Sequence, residues 1–185
     1  GKFKEEDAWD CLKKISYLNS RMQAVLEYSA MAQFNTKEEF MEGNLFDFIE
    51  EYAMNILNRS DRLKVQVVRS DTEGIEMKFV PQNIAIILDN VVSNSTKYNA
   101  NELRVLLGKD EKQYTIDFID DGDGVSSDIA DLNELFEFGK GYTLTGTGVG
   151  LYHIKDIVEK DLQGTVTIES EPQKGFALHV RFGKV

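Results

Sequence analysis

Residues 114–125 read YTIDFIDDGDGV. The run Tyr114–Asp120 is rich in aromatic and β-branched residues and predicts a strand, and an acidic, glycine-rich turn follows it directly. Asp120 then stands at the strand's end, where a carboxylate can accept a hydrogen bond from an exocyclic amine. Gly122 and Gly124 let the backbone turn and let a flat ring come close. By itself the stretch could also be a surface turn or an acidic calcium-type loop. An EF-hand loop needs a bidentate Glu at its last ligand position. Counting from Asp121, that place falls on Leu132, so calcium does not fit.

Reading outward, Glu102–Leu107 predicts a second strand, joined to the first by a polar turn at Gly108-Lys109-Asp110. Upstream of it, Pro81 suits the first position of a helix that runs to about Tyr98. Two more strands, Leu63–Val68 and Ile75–Val80, precede that helix, with a turn at Asp71–Gly74 between them. Asn44 is a good N-cap for an earlier helix, with Asp47 in a capping-box-like position. The buried face expected of that helix is Leu45, Phe48, Ile49, Tyr52, Ala53, Ile56 and Leu57. Downstream, Asp121 to Thr147 is glycine-rich and poorly periodic. Gly148–Lys160 predicts a helix, and Thr165–Glu169 with Gly175–Phe182 predicts a closing hairpin. Helices and strands are mixed, with hairpins in the second half, so the expected class is α+β, a two-layer sandwich.

Three further stretches carry chemistry. In Asn90–Tyr98, the side chains of Asn90, Asn94 and Lys97 are spaced four and three apart and share one helical face. An amide oxygen suits Mg²⁺ and an ammonium suits phosphate, although alone this stripe would be read as a solvated polar face. In Leu135–Gly141, two aromatics beside glycines suggest a flap that docks by its rings, with Lys140 able to reach a phosphate; a loop that caps the core is the plainer alternative. Gly146-Thr147-Gly148-Val149-Gly150-Leu151 leads into a helix, and backbone N–H groups at such a terminus favour phosphate. No Gly-Lys-Ser/Thr follows, so it is not a Walker motif. Nor does it follow a strand, as a dinucleotide fingerprint should.

In this order the four features resemble the Bergerat-fold ATPase superfamily, which joins DNA gyrase, heat-shock chaperone ATPases, mismatch-repair ATPases and histidine kinases. Asn90–Tyr98 is similar to the N box, Asp120–Gly124 to the first glycine box, Phe136–Phe138 to the F box and Gly146–Gly150 to the second glycine box. The resemblance covers roughly residues 44 to 183. It implies a mixed, mostly antiparallel sheet and two cofactors, ATP and Mg²⁺. It also implies that Asn94 binds Mg²⁺ and that Asn90 and Lys97 act at the phosphates. Tyr98 would flank the adenine, and Asp120 would bond its amino group. Gly122, Gly124 and Val125 would shape the base pocket. Phe138 and Lys140 would belong to the lid between Ser126 and Thr147. Gly146, Thr147, Gly148, Val149, Gly150 and Leu151 would wrap the phosphates.

One position discriminates within the superfamily. The hydrolytic branches usually carry Glu four residues before the metal Asn, as a group that orients or deprotonates the attacking nucleophile. Here that position is Asn90, as in histidine kinases, and an amide is no general base. Asp89 is adjacent but about 100° around the helix, and is expected to point elsewhere. The resemblance therefore implies slow hydrolysis and transfer of the γ-phosphoryl to a protein histidine. A nucleotide-sensing scaffold and a Bergerat-type hydrolase are the competing readings. Ser95 departs from the pattern, which usually has Ala there.

The N-terminal region fits the same branch. Cys11, Ile15, Leu18, Met22 and Val25 form a heptad seam on a helix expected from Glu5 to about Gln33, and Asn35-Thr36-Lys37 reads as a linker. Residues 1–38 are thus expected to be the last helix of a dimerisation region, forming a homodimer, and 39–185 the ATP-binding domain. No histidine precedes His153, and the acceptor motif belongs on a preceding helix, so a response regulator would be met through the parent protein. His153 and His179 are read as ordinary core or surface residues.

Composition bounds the rest. Forty-two per cent of the 185 residues are apolar, enough for a sizeable core. The net charge of −11 argues against nucleic acid or an anionic membrane as the partner. A lone cysteine, Cys11, makes no internal disulfide. No apolar run reaches the about 18 residues of a membrane span. The chain opens on Gly1 ahead of a helical pattern and reads as a piece of a longer protein acting in the cytoplasm, with or without a membrane anchor elsewhere in the parent.

Overall fold

The computed structural model describes residues 40–55, 57, 62–70, 73–139 and 148–183. The expected N-terminal helix and linker, with Ile56, Lys140, Gly146 and Thr147, lie outside them. The elements run β1 (Met41–Asn44), α1 (Leu45–Asn55), β2 (Lys64–Arg69), β3 (Glu76–Phe79), α2 (Pro81–Lys97), β4 (Glu102–Lys109) and β5 (Tyr114–Asp120). A 3₁₀ turn (Leu132–Phe136), α3 (Gly150–Lys160), β6 (Thr165–Ser170) and β7 (Phe176–Phe182) follow among the described residues. It divides into two compact units. Glu39–Asn133 with His153–Val185 form one, and Glu134–Tyr152 falls in the other.

The larger unit carries a five-stranded sheet in the order β2-β4-β5-β7-β6, and a separate ribbon of β1 with β3. β2 runs parallel to β4 with Lys64 opposite Glu102, and the remaining pairs are antiparallel. The α+β class with a mixed, mostly antiparallel sheet is therefore present. Alternate side chains of the inner strands are buried: Leu103, Val105 and Leu107 on β4, Ile116 and Phe118 on β5, and Leu178, Val180 and Phe182 on β7. The helices supply the other half of the core with Leu45, Phe46, Ile49, Ile84, Leu88, Val91, Ile154 and Val158. Both layers bury one face each, as a two-layer sandwich requires. On the opposite face of the sheet Asp117 accepts from Arg181 at 2.6 Å and its Oδ1 lies 2.7 Å from His179 Nδ1, so His179 belongs to a polar cluster with these two residues.

Several local expectations shift. The helix start at Asn44 holds, but the buried face of α1 is Leu45, Phe46, Ile49 and Ala53, while Phe48 and Tyr52 are half-buried. Phe46 faces Arg69, whose guanidinium lies 5.8 Å from its ring and pairs with Asp47 and Glu50. Phe46 thus widens the buried stripe to one side, while Leu45, Ile49 and Ala53 are buried as expected. β1 was not expected, and neither was the extension of β4 to Lys109. The true turn is Asp110–Gln113, closed because Asp110 Oδ1 accepts the N–H groups of Lys112 and Gln113. α3 begins at Gly150, not Gly148, because Gly148 sits at φ 68°, outside helical space.

Two side chains staple the larger unit. Asn44 Oδ1 accepts from the N–H groups of Phe46 at 3.1 Å, Asp47 at 3.3 Å and Ile75 at 3.3 Å, so it caps α1 and ties it to the start of β3. Asn44→Ala is expected to lower unfolding free energy by about 1–2 kcal/mol, read as a shift in urea midpoint at unchanged slope. Asp121 Oδ1 accepts from Asn101 N at 2.7 Å and Glu102 N at 2.8 Å, at the mouth of β4. The Glu102 N–H is the main reason its carboxyl is held below the usual range, with burial opposing and Asn101 assisting. A lowered folded value means that the stabilisation is complete above the ordinary carboxylate value of about 3.9 and drains away as pH falls through the folded one. Unfolding midpoints followed downward from pH 7 should therefore drop more steeply below about pH 4 for the native chain than for Asp121→Asn.

Candidate functional site

The C-terminal end of α2 and the turn after β5 meet inside the larger unit. α2 starts with Pro81 at its first position and ends where Asn99 adopts φ 62°. A left-handed residue there stops the helix and returns the chain. Asn99 Nδ2 then donates to Asp123 Oδ2 at 2.6 Å, and Asp123 N donates to the Tyr98 carbonyl at 2.9 Å.

Asp120 closes β5. Its Oδ1 accepts the N–H groups of Gly122 at 3.0 Å and Phe176 at 3.2 Å, and its Oδ2 accepts the hydroxyl of Ser95 at 2.7 Å. Ser95 is 1% exposed, on the inward side of α2. A carboxylate gripped by three donors is fixed in orientation, and its charge is compensated without a cation.

The glycines of this turn are also demanded by the main chain around them. A Cβ on Gly122 would stand 2.6 Å from the Tyr98 carbonyl, and one on Gly124, at φ +68°, 2.2 Å from the Glu171 carbonyl. A Cβ on Gly175, at φ +87°, would stand 2.1 Å from the Asp120 carbonyl. The protein's own backbone occupies the space. The β6–β7 turn is bonded into the same assembly: Ser170 Oγ accepts from Val125 N at 2.9 Å and donates to the Gly175 carbonyl, and Gln173 N donates to the Asp123 carbonyl. Ser170, Gly175, Phe176 and Asn99 were not singled out from the sequence. The turn residues of Glu171–Gly175 were the available signal, but nothing in them announces a partner fifty residues away.

Asn90, Asn94 and Lys97 lie along α2, each partly exposed. Asn90 Nδ2 donates to the Ile86 carbonyl one turn back at 2.8 Å, which leaves its Oδ1 as the amide's acceptor. Lys97 Nζ lies 5.1 Å from the Tyr98 ring centroid, close enough for a cation–π contact. Asp89 points away, as its place on the helix predicts: the Tyr52 hydroxyl lies 3.1 Å from both of its oxygens. Burial, and after it Asp89, pushes the Tyr52 phenol above its ordinary value.

The described residues hold no cluster of three or more His, Cys, Asp or Glu side chains able to cage a metal. One or two amide oxygens can still complete the shell of an Mg²⁺ that brings phosphate oxygens and water with it. The donor set on α2 fits that kind of ion.

In the smaller unit, the Phe138 and Tyr152 rings meet edge to face with centroids 5.2 Å apart. Gly139 and Gly148 both take positive φ, and Gly139 N donates to the Gly148 carbonyl at 3.1 Å, so the two ends of the intervening segment are joined. Val149 is buried, and Gly150 and Leu151 open α3. His153 is 9% exposed on the same helix. No helix among the described residues is long and apolar enough to cross a membrane.

Residues 79–184 match the histidine kinase-, DNA gyrase B-, and HSP90-like ATPase family. The sensor protein kinase PilS of Pseudomonas aeruginosa is 27% identical over 172 residues, which is 89% of this chain and 31% of that protein. The catalytic domain of histidine kinase ThkA, in a nucleotide-free form, matches with a TM-score of 0.64 at 18% identity, over 79% of this chain and 96% of that one. The histidine kinase AdeS of Acinetobacter baumannii matches with a TM-score of 0.62 at 14% identity, over 99% of this chain and 86% of that one. The matched segment runs from the last residue of β3 to beyond β7 and contains Asn94, Asp120 and Gly148. The chain belongs to the histidine kinase-, DNA gyrase B- and HSP90-like ATPase family and has the Bergerat fold of histidine kinase ATP-binding domains.

Proposed function

We propose that this chain is the ATP-binding catalytic domain of a two-component sensor histidine kinase, with residues 1–38 as the last helix of a dimerisation region and 39–185 as the catalytic domain. The observation that carries this reading is the absence of a base on the exposed stripe of α2. Asn90 stands where a hydrolase needs a carboxylate, and its amide is bonded to the Ile86 carbonyl. The one neighbouring carboxylate, Asp89, is occupied by Tyr52. A site without a base to activate water favours delivery of the phosphoryl group to a nucleophile that is basic already, such as a histidine imidazole.

ATP with Mg²⁺ supplies the phosphoryl group and the neutralising charge. Asp120 accepts the purine amine and orients the base. Asn94 offers its amide oxygen to the metal, with Asn90 beside it and Lys97 as a mobile cation for the phosphates. Gly148–Leu151 give N–H groups at the start of α3 that suit phosphate oxygens, and Lys140, Gly146 and Thr147 precede them. Catalysis then consists of positioning and charge stabilisation. The acceptor histidine lies on an upstream helix of a homodimer, and a response regulator receives the phosphoryl group from it.

Calorimetry tests the site. Asp120→Asn is expected to weaken ATP binding about tenfold or more, because an accepting oxygen is replaced by a donor. Asn94→Ala should abolish most of the gain in affinity that Mg²⁺ confers while leaving Mg²⁺-free binding close to native. Undiminished binding in both variants would remove the assignment, and rapid steady-state ATP turnover by this chain alone would favour a hydrolase instead.

A further inference from the structure

We propose that Ser95 is a positioning residue for base selection, which sets the Asp120 carboxylate so that one acceptor site, on Oδ2, faces the incoming base. The proposal rests on the assignment of Asp120 as the residue that meets the purine.

A carboxylate offers roughly four lone-pair sites. Gly122 N and Phe176 N both bond to Oδ1, and the Ser95 hydroxyl takes one of the two sites on Oδ2. One site on Oδ2 is left. The two backbone donors converge on a single atom, so they act as a pivot and do not by themselves fix the plane of the group. Ser95 supplies the third point, and among the described residues it is the one hydrogen-bond donor to Oδ2. Its own position is stiff. It is 1% exposed, and its carbonyl accepts Ala100 N at 2.9 Å at the end of α2.

A single acceptor held in place recognises a single donor. A 6-amino purine presents one N–H there. A 6-oxo purine presents a second acceptor and is repelled, and a purine bare at that position gains nothing from Asp120. Ser95 therefore strengthens only the part of the affinity that depends on the amine. A residue that merely fills the core would change all nucleotides alike, or change stability without changing nucleotide preference.

The experiment compares Mg²⁺-loaded ATP with purine riboside triphosphate, which lacks the 6-amino group, by calorimetry on the whole chain. Ser95→Ala is expected to weaken ATP binding about fivefold while leaving purine riboside triphosphate within about twofold, so that the preference ratio falls. In an Asp120→Asn background the same substitution should produce no further fall in that ratio, since the group it positions is gone. Equal weakening of both nucleotides, or an unchanged ratio, overturns the role of Ser95. If Asp120→Asn lowers the ratio and Ser95→Ala does not, the Ser95 role falls alone. If neither substitution moves the ratio, the base does not lie at Asp120 and the site assignment falls with it.

Discussion

The larger unit is organised around one carboxylate. Asp120 receives hydrogen bonds from three separate segments: the inward side of α2 through Ser95, the turn after β5 through Gly122, and the first residue of β7 through Phe176. A partly buried carboxylate without donors is costly, so all three segments must arrive in register to supply them. The requirement reaches far along the chain. Phe176 N can point at Asp120 only if β7 pairs with β5 in the observed register, in which these two residues are opposite each other. Gly122 can donate only if the chain turns immediately after the strand.

The same demand explains the polar stitching around it. Asp121 draws the start of β4 to the turn, Asp123 joins the end of α2, and Ser170 holds the β6–β7 turn against Val125. Adjacent aspartates that look alike in the sequence thus divide the work. Asp120 keeps one acceptor site open. Asp121 gives an oxygen to two backbone N–H groups. Asp123 is bonded to Asn99. Repulsion among the three is relieved because each has donors of its own.

Much of this could be read in advance, and the exceptions have identifiable causes. α2 was legible because Pro81 marks its start and its apolar positions keep helical spacing, and β5 because it ends in an acidic glycine turn. β1 was not: Met41-Glu42-Gly43-Asn44 has no alternation, and it is a strand because β3 is there to pair with it. The burial of Phe46 escaped notice because its neighbour Arg69 comes from β2, far along the chain. Of the candidate site, Asp120, Asn90 and Asn94 were visible as side chains of the right chemistry. Phe176 and Gly175 were hidden, because they act through backbone atoms, and a pattern of side chains carries no record of those. Ser95 was visible only as a departure. Its meaning appeared when β5 placed Asp120 within reach of its hydroxyl.

Gly124 and Gly175 carry a consequence for how sequences of this kind can vary. At each, the obstacle to a side chain is a carbonyl of the main chain, fixed by the strands beside it. A crowded side chain can be relieved by trimming its neighbour, but a crowded carbonyl has nothing to trim. Each position also needs a positive φ that L-residues adopt only at a penalty. No second-site exchange elsewhere in the core restores what is lost. Drift is confined instead to the exposed rim of the turn, at Pro172 and Lys174, while Gln173, at φ 60° and bonded through its N–H to the Asp123 carbonyl, accepts few replacements.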